Sequence, residues 1–103
     1  MTMTKEITYE YNRIADRKRL DFISGSLEGK IPADGTILDV GCGNGVISRH
    51  LGQLGYNVLG IDVSDKTIQT ARSLNNMDNV RFDVISAENL VAQGNTYDAV
   101  ICS

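Results

Sequence analysis

The sequence predicts an α/β fold, a parallel sheet layered between helices, and three observations carry that prediction. Four short apolar runs, Thr36–Val40, Tyr56–Ile61, Val80–Ile85 and Tyr97–Cys102, read as strands. The segments between them carry apolar residues at helical offsets. Between the first strand and its helix stand three glycines at alternate positions, Gly41, Gly43 and Gly45. Strand and helix in alternation imply right-handed crossovers and helices on both sheet faces. Such a sheet binds ligands at the carboxyl ends of its strands, where the strand order reverses.

Each element has its own signal. From about Lys5 to Leu27, Ile7, Tyr11, Ile14, Phe22, Ile23 and Leu27 recur at roughly helical spacing, so one or two helices are expected. Leu27 to Gly35 holds two glycines and the only proline, Pro32, and reads as a connector. Residues 1–35 thus form an N-terminal helical segment and connector, and 36–103 the core, one domain overall. After the glycine loop, Ile47, Leu51 and Leu54 make a helical stripe that Gly55 can end. Ser64 is placed to cap the next helix, with Asp65 in its first turn and Ile68, Ala71 and Leu74 as its buried face. Asn75 to Asn79 is turn chemistry, Ser86 to Val91 a short helical turn, and Gly94-Asn95 a break.

Composition narrows the function classes. The 103 residues are 42% hydrophobic and 22% charged, ordinary for a folded globular chain. A net charge of -3 and a pI near 4.9 give no electrostatic support for nucleic-acid binding. The one basic cluster, Arg13, Arg17, Lys18 and Arg19, is interleaved with Asp16 and Asp21 and reads as a solvated helix face. Cys42 and Cys102 read as small buried thiols in a reducing compartment, with no metal-ligand spacing around them or around His50. The first residues lack a secretory core and no apolar run reaches membrane-spanning length, so the expected location is the cytoplasm.

The loop carries the chemistry. Glycines after a buried strand let the backbone turn sharply and approach a ligand, and the next helix presents its unpaired N–H groups there. The dinucleotide fingerprint would need glycine at position 46, which is Val46, so a nicotinamide oxidoreductase is disfavoured. Asp62 closes the second strand about 20 residues beyond Gly41, the separation at which an acidic side chain meets a ribose. A loop or capping aspartate is the alternative reading of Asp62. Asp39 ends an apolar strand and needs a partner if buried; a ligand's ammonium or the loop's own amides could supply it.

The run Asp39-Val40-Gly41-Cys42-Gly43-Asn44-Gly45 resembles the first motif of class I S-adenosylmethionine (SAM) dependent methyltransferases. Gly60-Ile61-Asp62-Val63, Ser86-Ala87-Glu88-Asn89-Leu90 and Tyr97-Asp98-Ala99-Val100-Ile101-Cys102 are similar to three further motifs in the same order, from about Thr36 to Ser103. The resemblance implies a three-layer Rossmann-like sheet, here truncated after the fourth strand. It implies SAM as cofactor and S-adenosylhomocysteine (SAH) as product. By the same carry-over Gly41 and its neighbours Asp39, Cys42, Gly43 and Gly45 would face the methionine part, Asp62 the ribose, and Ser86, Ala87 and Glu88 would border the adenine, with Val63 and Cys102 also in the cofactor-binding set. Many members have Asp in place of Ser86, where the Ala87 N–H could serve instead.

In similar proteins an N-terminal helix closes over the cofactor, which makes Tyr9 and Tyr11 lid candidates, although packing is the stronger reading of both. Enzymes that methylate adenine or glutamine amides often carry Asn/Asp-Pro-Pro after the fourth strand. The position that would open this motif is Ser103, which favours a small-molecule acceptor. No general base is legible. The early end of the chain leads to three expectations: a missing C-terminal part or self-association through the fourth strand, little or no methyl transfer by the chain alone, and, as the alternative function, a non-catalytic SAM-binding module acting with a partner.

Overall fold

A computed structural model describes residues 18–102. Residues 18–27 form helix α1, the described part of the expected N-terminal helix. Tyr9, Tyr11 and the lid reading attached to them lie outside the described residues, as does Ser103. Seven elements follow: β1 (Thr36–Val40), α2 (Val46–Gln53), β2 (Asn57–Asp62), α3 (Asp65–Leu74), β3 (Val80–Val84), α4 (Ala87–Ala92) and β4 (Ala99–Cys102).

All strands pair in parallel, in the order β3-β2-β1-β4. Strand order therefore reverses between β1 and β4, and the switch point falls at the end of β1, where the glycine loop begins. On one face, Ile37, Val58, Val80 and Phe82 of the sheet pack with Ile47 and Leu51 of α2, Ile68 and Ala71 of α3, and Leu27 of α1. On the other, Leu38 and Ile61 pack against Leu90 of α4. The fold is thus the three-layer α/β sheet expected. Each fully buried Ile or Leu in these layers contributes about 1.5–3 kcal/mol.

The apolar stripes hold except at their ends. Leu54 and Leu74 are each 57% exposed, not buried as expected. Leu54 follows the last residue of α2, just before Gly55 turns the chain at φ 104°, and Leu74 is the last residue of α3, so both lie where the helix leaves the sheet. The alternation Val80, Arg81, Phe82, Asp83 follows from the position of β3: its apolar residues face α2 and α3, while Arg81 and Asp83 stay exposed. β4 starts two residues later than Tyr97, because Asp98 is used as a latch. Its N–H donates to Thr36 O at 2.9 Å, and its carboxylate accepts from Thr36 N at 2.8 Å.

Candidate functional site

The glycine loop is built by hydrogen bonds that pull it onto the end of β2. Gly41 N–H and Cys42 N–H both donate to Ile61 O, at 2.9 and 3.0 Å, and Gly45 N–H donates to Cys42 O at 3.1 Å. This tight path requires left-handed backbone at Gly41 (φ 69°), Gly43 (φ 59°) and Gly45 (φ 85°), which glycine adopts without steric cost. The three differ in their surroundings. A Cβ at Gly41 or Gly43 would meet no atom within 4 Å, so these two face open space. At Gly45 it would stand 2.6 Å from Cζ of Phe82 and 2.8 Å from Nδ2 of Asn75. Gly45 is therefore a packing glycine, seated on the Phe82 ring.

Asp62, the last residue of β2, anchors both sides of the crevice. One carboxylate oxygen accepts from Ser64 N–H at 3.0 Å, ahead of α3, and the other lies 3.4 Å from Gly43 N. An ionised carboxylate has about four acceptor sites, so these two bonds leave each oxygen with capacity for a further donor. The capping reading and the ligand reading of Asp62 are thus compatible in one side chain. Ser64 caps α3 as expected, accepting from Thr67 N–H at 3.2 Å.

Asp39 is wholly buried, and its carboxylate accepts from Ser48 Oγ of α2 at 2.7 Å. This charge-assisted bond ties β1 to α2 directly behind the loop. Ser48 was legible only indirectly: it lies three residues before Leu51, a polar residue on the buried face of its helix.

Two hollows meet at Gly41. One, of about 180 Å³, is lined by Val40, Gly41, Ile61, Asp62, Val63, Ile85, Ser86 and Ala87. The other, of about 190 Å³, is lined by Arg19, Gly41, Cys42, Gly43, Asn44, Val46 and Ile47. Sequence-predicted residues Gly41, Cys42, Gly43, Asp62, Val63, Ser86 and Ala87 thus surround one crevice. Glu88 is exposed on α4 and lines neither hollow, and Cys102 is exposed at the end of β4, opposite Val40. Arg19, read from sequence as part of a solvated face, lines the loop side; nothing local in the sequence marks it.

The donors of the crevice come from helix ends. α2 follows Gly45, which supplies no side-chain cap, and has no acidic residue in its first turn, so the first-turn N–H groups of Val46 and Ile47, which have no intrahelical partner, belong to the loop side. Ser86 caps α4 by accepting from Asn89 N–H at 3.2 Å, and Ala87 N–H belongs to the unbonded first turn. Among the described residues no cluster of His, Cys, Asp or Glu could hold a metal ion, and no helix is long and apolar enough to cross a membrane.

Burial pushes the Cys42 thiol up from 9.0 to about 12, with the nearby Asp39 and Asp62 charges adding to the effect. Cys42 therefore stays a thiol and is shielded, whereas Cys102, expected from sequence to be buried, is exposed. Alkylation at pH 8 should leave Cys42 unlabelled until the chain unfolds, checked by peptide mass spectrometry with and without denaturant. Since the folded state holds the Cys42 proton more tightly than the unfolded chain does, its effect on stability is absent below pH 9. The fold then loses stability as pH rises from there towards 12.

Comparison with known proteins agrees with this architecture. A family model described as "Methyltransferase domain" matches residues 37–103. The ubiquinone biosynthesis O-methyltransferase of Xanthomonas axonopodis pv. citri is 40% identical over 87 residues, covering 82% of this chain and 35% of the relative. The mitochondrial human enzyme of the same name is 41% identical over 73 residues, covering 65% of this chain and 20% of its own length. The chain therefore spans about a third or less of these curated relatives. Magnesium protoporphyrin IX methyltransferase from Synechocystis PCC 6803, solved with bound SAM, superposes with a TM-score of 0.72 at 27% identity, covering 99% of this chain and 50% of that one. On motif order, sheet topology and a family match over most of its length, the chain belongs to the class I S-adenosylmethionine-dependent methyltransferases.

Proposed function

We propose that this chain forms the SAM-binding part of a methyltransferase that acts on a small-molecule acceptor. One observation carries the reading: Gly41 and Gly43, at positive φ and facing open space, lie beside an Asp62 carboxylate with acceptor capacity to spare. That donor and acceptor set fits the cofactor. Asp62 accepts from the ribose hydroxyls. The apolar walls Val40, Ile61, Val63 and Ile85 enclose the adenine, with Ala87 N–H and Ser86 at its edge. On the loop side, the first-turn N–H groups of α2 and the Arg19 guanidinium meet the carboxylate of the methionine part.

Cys42 and Gly45 act through the loop's shape, Asp39 through its bond to Ser48 and its charge beneath the loop, and Glu88 and Cys102 from the rim. When bound, SAM supplies a methyl group on a sulfonium, and the reaction is an in-line displacement. The work of this chain is to orient that group at the β1–β4 switch point and exclude water there. The names of the relatives support a small-molecule acceptor. The free cysteines fit a reducing compartment, the cytoplasm.

Calorimetric titration tests the reading: SAM and SAH should bind and NAD should not, and a folded chain that gives no heat with SAH would overturn it. Asp62→Ala should weaken SAH binding by about 1.5–3 kcal/mol, the range for bonds to a charged group. Because Asp62 also receives Ser64 N–H, the variant should melt slightly earlier, and Asp62→Asn should recover that stability more fully than the affinity.

A further inference from the structure

The glycine loop is held from behind by a residue that belongs to none of the motifs. Asn75 follows the last residue of α3, and its carboxamide donates from Nδ2 to two carbonyl oxygens: Ala71 O of its own helix at 2.7 Å, and Asn44 O of the loop at 3.1 Å. A carboxamide nitrogen has two hydrogens, so the two bonds use the whole donor capacity of the side chain. The bonded carbonyl belongs to the residue between Gly43 and Gly45. The same nitrogen lies 2.8 Å from the place a Cβ on Gly45 would take, beside the Phe82 ring.

We infer that Asn75 is a positioning residue for the cofactor loop, a strut that fixes the Asn44 carbonyl and thereby the path of Gly43 and Gly45. The bonds to Ile61 O, Cys42 O and Asp62 hold the loop elsewhere; without Asn75 the stretch around Asn44, between two left-handed glycines, would gain conformations whose ordering would be charged against binding. The strut transfers that ordering to folding. Asn is suited to the role because its planar amide presents two hydrogens about 120° apart. Aspartate, of the same shape, presents only acceptors and would face two carbonyl oxygens without a proton to share.

The inference rests on the SAM-binding reading, and the test separates the two. Asn75→Asp and Asn75→Ala are compared with wild type and with Ser73→Ala, which removes a bond from Ser73 Oγ to Thr70 O in the last turn of α3 and leaves the loop untouched. SAH affinity is measured by calorimetry, and the Gly43 and Gly45 amides are followed by nitrogen-15 NMR without ligand. Asn75→Ala should lower SAH affinity about tenfold, and Asn75→Asp further, while Ser73→Ala stays within twofold of wild type. In both Asn75 variants the Gly43 and Gly45 resonances should shift or broaden, and in Ser73→Ala they should not.

If Asn75→Asp does not fold, Asn75→Ala decides. Unchanged glycine resonances in Asn75→Ala, or SAH affinity within twofold of wild type, would overturn the strut. Failure of wild type to bind SAH would overturn the cofactor reading instead, and the NMR comparison would still judge the strut.

Discussion

Gly43→Val is expected to abolish SAH binding in a chain that still folds, while Gly45→Val, two residues on, is expected to destabilise the fold strongly. Both glycines have positive φ, and a β-branched residue there costs about 1–3 kcal/mol in backbone strain. Beyond that the two positions diverge. A Cβ on Gly43 meets no atom within 4 Å, so the added methyls stand in the crevice and cost the fold only the strain. They occupy the space that a ligand lying close to the loop needs, and affinity should fall by roughly a hundredfold or more.

At Gly45 the Cβ would come within 2.6 Å of the Phe82 ring, and that ring has little room to retreat towards β2, because it already lies over Gly60, in the space that a Cβ there would take. Overpacking of about 1–3 kcal/mol then adds to the strain, a large part of the roughly 5–15 kcal/mol that holds a small domain together. Circular dichroism and calorimetry on the two variants check this. Tight SAH binding by Gly43→Val would remove the loop from the site, and a Gly45→Val chain as stable as wild type would refute the packing account.

The contrast between these glycines marks what the sequence could reveal. By sequence all three glycines look alike, because their spacing is identical in kind. The distinction depends on Phe82 and Asn75, which reach the loop from β3 and from the end of α3. The parallel α/β layering was legible because apolar runs and helical stripes alternate along the chain, and so was Ser64 as a cap, a local interaction. Asp39 illustrates the opposite case. That it would need a partner if buried followed from its apolar strand, but the bond to Ser48 depends on how α2 docks on β1. Arg19 was missed for the same reason: a charged residue on an exposed helix carries no local sign of what that helix faces.

The other large effect concerns the two edges of the sheet. β3 and β4 are both edge strands among the described residues, and each leaves a row of backbone groups without a ladder partner. They are not equally protected. β3 carries Arg81 and Asp83, both exposed, and such charges discourage pairing with another strand. β4 is Ala99, Val100, Ile101 and Cys102, without a charge, and Val100 is 59% exposed on the side of the sheet that α4 covers only in part. The 103-residue chain should therefore associate through β4, burying Val100 at about 25 cal/mol per Å² of apolar area. Sedimentation velocity at micromolar concentration should show a dimer or larger species, and Val100→Lys should convert it to monomer while leaving SAH affinity unchanged, since Val100 lines neither hollow. Arg81→Ala, on the other edge, should not dissociate it. A chain that sediments as a monomer across this range, or a Val100→Lys variant that associates as strongly as wild type, would show that β4 is not the sticking edge.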